Sequence, residues 1–76
     1  MTEQHAIKKP NERPININGV VFHCYEVGRF RIEWRSEDGK KRVGQHAGTK
    51  TFWACSNGFY SHRRFYSLYN AMKAIT

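Results

Sequence analysis

Seventy-six residues leave room for one domain and exclude a second, and a core of that size is worth about 3–5 kcal/mol. Aromatic residues make up 14% of the chain, too many for a disordered segment, and thirteen Lys and Arg against six Asp and Glu give a net charge of +7. That excess is the electrostatic footprint of a phosphate-binding surface, and no apolar run approaches the length of a membrane span.

Residues 1–14 read as a flexible basic N-terminal tail, with Lys8, Lys9 and Arg13 and a single large apolar residue, Ile7. The tail lacks the apolar stretch of a signal peptide, so the chain reads as cytoplasmic, with Cys24 and Cys55 as buried, reduced thiols. One ordered domain is expected over residues 15–76.

Ile15-Asn16-Ile17 and the run Val20 to Val27 flank Asn18-Gly19, a pair that tolerates the positive φ of a type I′ hairpin turn. After Gly28, the alternation from Arg29 to Arg35 is strict. Phe30, Ile32 and Trp34 point to one side; Arg29, Arg31, Glu33 and Arg35 point to the other. Asp38-Gly39 supplies a two-residue turn, and Lys41 to Gln45 returns antiparallel. A third hairpin joins Thr51–Ser56 to Phe59–His62 through Asn57-Gly58.

At the C-terminus the apolar period changes from two to 3.6. Leu68, Ala71, Met72 and Ile75 fall on one helical face, which Phe65 and Tyr69 extend. Ser67 caps a short helix if Arg63 to Tyr66 finish the strand before it; Ser61 would cap a longer one. The expected fold is α+β, an antiparallel β-meander of three to five strands packed against one C-terminal α-helix.

The second hairpin carries the functional signal. A two-residue turn sets Glu37 opposite Lys40 and Arg35 opposite Arg42, and then Glu33 opposite Gly44 and Arg31 opposite His46. Like charges directly opposite cost about 0.2–1 kcal/mol, which a bound anion would relieve. Gly44, a glycine inside a strand, marks either a bulge or the close approach of another group. Arg29, Lys40, Lys41, Lys50, Arg63 and Arg64 widen the candidate patch beyond Arg31, Arg35 and Arg42. Tyr60 and Tyr66 are candidate stacking surfaces for bases, while Tyr25 and Trp53 are assigned to the core. About five engaged cations would make log affinity fall with log salt at a slope near −4 to −5.

A sheet with basic outward residues can enter the major groove of duplex DNA. From about Arg29 to Ile75, the order of elements, a three-stranded sheet followed by one helix, resembles that of the DNA-binding modules at the N-termini of tyrosine recombinases and in AP2-type domains. The resemblance lies in that order alone and carries over no residue.

Catalysis finds no footing in the sequence. Cys24, Cys55, His23, His46 and His62 lack zinc-site spacing, the carboxylates are scattered, and there is no Gly-rich phosphate loop. The expectation is therefore a non-enzymatic module without cofactor or metal. Its first candidate partner is nucleic acid, DNA preferred over RNA, in the manner of a phage or mobile-element accessory protein. The alternative is a small inhibitor or adaptor that meets an acidic protein surface, and exposed sheet edges would also allow a homodimer.

Overall fold

The computed structural model describes residues 6–28, 31–46 and 48–76. Along the chain lie β1 (Ala6–Lys8), β2 (Ile15–Ile17), β3 (Val20–Val27), β4 (Arg31–Ser36), β5 (Lys41–Gln45), β6 (Phe52–Ser56), β7 (Phe59–Tyr60) and α1 (Leu68–Ala74). Every strand pairing is antiparallel, in the order β1-β3-β4-β5-β6-β7, with β2 also on β3. The α+β class is as expected, but the described sheet has seven strands rather than three to five. The additional strands are short. At eight residues, β3 is long enough to pair with β2 near its start and with β1 near its end. Ala6–Lys8, which shows no apolar alternation, thus forms a strand inside the segment expected to be tail.

The turns explain the meander. Asn18-Gly19 and Asn57-Gly58 both take positive φ at each position, 52° and 85° in the first and 53° and 83° in the second, as type I′ hairpins require. The Asp38-Gly39 turn differs from expectation. It closes one residue earlier, through the Gly39 N–H to the Ser36 carbonyl at 2.9 Å. The Asp38 carboxylate accepts from the Ser36 hydroxyl at 2.6 Å and from the Lys40 N–H at 3.0 Å, which tightens the loop. Those bonds hold the Asp38 carboxyl below the usual carboxylate range. The Arg35–Arg42 register survives this change.

The helix begins where Ser67 predicts: its hydroxyl accepts from the Asn70 N–H at 3.3 Å. Between Arg63 and Tyr66, Phe65 bridges to the sheet by exchanging two backbone hydrogen bonds with Phe52, an isolated bridge that does not extend the strand. Ala71 and Met72 close over Ile17, Phe22, Val43, Ala54 and Phe65, with Trp34, Leu68 and Ile75 around them. Two residues expected in this core lie outside it: Ile32 and Tyr69 are exposed, because the two-turn helix covers β5, β6 and β2 but not the far end of β4. Phe30 lies outside the described residues. Cys24 and Cys55 are free, both buried, and on opposite faces of the sheet three strands apart, or about 14 Å, too far to be bridged. Burial, reinforced by Glu12, pushes the Cys24 thiol up.

Candidate functional site

The face turned away from α1 is built by the alternation of β4 and β5. Residue pairs across the ladder share a face, so His23–Arg35–Arg42–Cys55–Tyr60 and Tyr25–Glu33–Gly44–Trp53 form two rows across the sheet. Gly44 is explained by its neighbour in the second row. A Cβ there would lie 2.4 Å from the Trp53 indole, so the glycine makes room for the ring, and the ladder runs through it without a bulge.

Sequence alternation placed Glu33 among outward residues; in the structure its side chain is one of the most deeply buried, at 2% exposure. Three guanidinium groups cover it. Arg35 Nε donates to Glu33 Oε1 at 3.1 Å, Arg31 Nη2 lies 3.4 Å from Oε2, and Arg42 Nη1 lies 3.8 Å from Oε1. This corrects the expectation that Arg35 and Arg42 repel each other until an anion arrives. The carboxylate between them already offsets part of that repulsion, and the cluster keeps a net charge of two positive units. Glu33 escapes sequence reading because its position in the alternation is that of its solvent-facing neighbours; the signal was three arginines, two at positions i−2 and i+2 and one diagonally across on β5.

Aromatic rings fix the outer side of the cluster. The Arg35 guanidinium sits 5.2 Å from the Tyr25 ring centroid and that of Arg42 5.8 Å from Trp53. Trp53 meets Tyr60 at 5.5 Å and 56°, and the Tyr60 hydroxyl accepts from Arg42 Nη2 at 3.1 Å. Tyr25 and Trp53 therefore belong to this face and not to the helix-side core. Burial works against the charge on Arg42, but its hydrogen bond to Cys55, the Tyr60 oxygen and Glu33 outweigh that and raise its pKa.

Two open clefts meet at Arg42. One, of about 430 Å³, lies between two hairpin turns and is lined by Arg35, Lys40, Arg42, Cys55 and Asn57. The other, of about 420 Å³, is lined by Arg31, Glu33, Arg42, His46, Trp53 and Tyr60. Together they make a trough across the face, cationic at the Lys40 end.

The remaining sequence candidates separate. Lys41 projects to the opposite face, where its ammonium donates to the Ser56 hydroxyl at 3.2 Å, so it leaves the patch. Lys50 is exposed in the β5–β6 connection and lines neither cleft. Arg63, Arg64 and Tyr66 lie beside α1 in a cleft of their own. Arg29 lies outside the described residues. Of the two candidate stacking rings, Tyr60, 58% exposed, is the one that the structure brings to the arginines around Glu33.

Among the described residues no group of His, Cys, Asp and Glu has the arrangement of a metal site, and no helix is long and apolar enough to cross a membrane. The chain matches no family model, no curated protein and no solved structure.

Proposed function

We propose that the chain is a non-enzymatic nucleic-acid-binding module that grips the phosphate backbone of DNA through the Arg31–Arg35–Arg42 face. The observation that carries this reading is the Glu33 cluster. One buried carboxylate holds three guanidiniums in a fixed array, three positive charges around one negative, with Lys40 beside it. Guanidiniums held in place before binding lose less side-chain freedom when they meet phosphate oxygens.

The width of the sheet favours backbone over base contacts. Arg31, Arg35 and Arg42 stand on β4 and β5, the middle strands of a path that neighbour spacing makes about 24 Å across. A B-DNA major groove is about 12 Å wide. Central side chains on such a face meet the rims of the groove, and the groove-inserted sheet that the element order suggested does not suit it. The expected behaviour is sequence-tolerant binding that salt weakens.

The test must avoid leaving Glu33 buried and alone, which would cost stability whatever the function. Replacing Glu33, Arg31, Arg35 and Arg42 together by Met removes the cluster as a unit. Gel shifts with unrelated duplexes should give affinities within a few-fold of one another for the native chain, and at least tenfold weaker binding for the folded quadruple variant. Equal binding by that variant would refute the reading. Retention of a defined protein from nuclease-treated lysate, with no binding to DNA, would favour an acidic protein partner instead.

A further inference from the structure

The net charge is distributed unevenly along the chain. Residues 1–38 hold six Lys and Arg and all six Asp and Glu, whereas residues 39–76 hold seven Lys and Arg and no carboxylate side chain. The whole +7 therefore comes from the second half. Lys40 and Arg42 serve the sheet face, but Arg63, Arg64 and Lys73 gather elsewhere. They line a cleft of about 350 Å³ between the Phe65 segment and α1, with Tyr66 and Asn70. Phe65 belongs to the helix-side core, so this cleft lies on the other side of the sheet from Glu33 and shares no residue with the trough there.

The local design differs from the first site. Arg63 sits over the Phe65 ring at 5.7 Å and Lys73 over Tyr69 at 5.8 Å, so packing on rings positions both cations without a carboxylate partner. Tyr66 stands beside them 82% exposed, an aromatic face open to solvent. Cations that can take a phosphate next to a bare ring that can take a base are the two halves of an unpaired-nucleotide site.

From this juxtaposition, and resting on the reading of the sheet face as a nucleic-acid surface, we propose a second site: Arg63, Arg64, Tyr66 and Lys73 bind single-stranded nucleic acid. One chain then bridges a duplex held on the sheet face and an unpaired strand held beside α1. Arg63 and Arg64 contact backbone phosphates, Tyr66 stacks one base, and Asn70 offers an amide to that base or its sugar.

The experiment is a two-colour capture. A biotinylated duplex on beads is mixed with the protein and a labelled oligo-dT, and the label retained is measured together with the affinity for each oligonucleotide alone. The native chain should retain oligo-dT in a protein-dependent way. Tyr66→Ala should weaken oligo-dT binding about tenfold, the loss of one base stack. Arg63→Ala with Arg64→Ala should abolish co-capture while leaving duplex affinity within twofold. All three side chains are exposed, and thermal melts check that the variants fold. Duplex binding without co-capture of oligo-dT would overturn the second site alone. Co-capture that survives the double variant would mean that two chains pair to bridge the strands, and would overturn it too. Failure to bind either oligonucleotide would remove both this inference and the function on which it rests.

Discussion

Glu33→Gln is the perturbation that best separates the organising role of this carboxylate from simple burial. Gln keeps the shape and an acceptor oxygen for Arg35 but removes the charge that three guanidiniums share. Breaking a buried ion pair costs about 3–5 kcal/mol when the partners are fully desolvated. Here the guanidinium side chains are 39%, 27% and 32% exposed, so water screens them once the carboxylate is gone. A loss of about 2–3 kcal/mol is the better expectation. In a domain of this size that lowers Tm by roughly 10–20 °C. The same change raises the net charge of the cluster from two to three, so phosphate or a short duplex should raise the Tm of the variant by more than that of the native chain. Thermal melts followed by circular dichroism, across a phosphate titration at constant ionic strength, read both effects. A Tm within about 3 °C of native, or equal responses to phosphate, would refute the organising role assigned to Glu33.

Other substitutions test neighbouring parts of the account. Gly44→Ala forces the Trp53 indole aside and should cost about 1–3 kcal/mol, with a shift in tryptophan emission; unchanged stability and emission would show that the contact is unimportant. The Asp38 carboxyl is held low in the folded state, so its contribution to stability is present above the ordinary Asp pKa, near 3.9, and disappears as pH falls through the lower folded value. Asp38→Asn should therefore flatten the acid limb of the stability profile while keeping the turn, and a native-like limb in the variant would contradict this. Lys40→Ala should reduce the salt slope of duplex binding by about 0.9, whereas Lys41→Ala, on the far side of the sheet, should leave it unchanged.

What the sequence made legible was local. The Asn-Gly pairs need positive φ, the Arg31–Arg35 alternation has a period of two, and Ser67 is followed by a helical apolar stripe; each is decided within a few residues. The turns, the strand and the helix cap appear as read, while the burial of Ile32, Glu33 and Tyr69 does not. The pairing of Arg35 with Arg42 also followed, because a short turn leaves few registers. The strand β1 was missed because a three-residue segment carries no periodicity, and long-range pairing alone makes it a strand; β7 is the return arm expected after Asn57-Gly58, shortened to Phe59–Tyr60. Burial of Glu33 was hidden for a related reason. Alternation tells which face a residue takes, but only the convergence of side chains from β4 and β5 covers that face with guanidiniums. Lys41 shows the converse: counted among the cations by composition, it is removed from them by parity, one residue from Arg42 and on the other side of the sheet.

The most direct test of the central claim is the salt dependence of duplex binding. The net charge of two at the Glu33 cluster and one more at Lys40 correspond to about three phosphates, fewer than composition suggested, and to a slope near −2.7 in log affinity against log salt. Affinity should fall about 40-fold between 50 and 200 mM salt. In the variant with Met at positions 31, 33, 35 and 42 the slope should shrink to about −0.9, a fall of about 3.5-fold over the same range. The same slope in both proteins would show that the arginine face does not carry the binding.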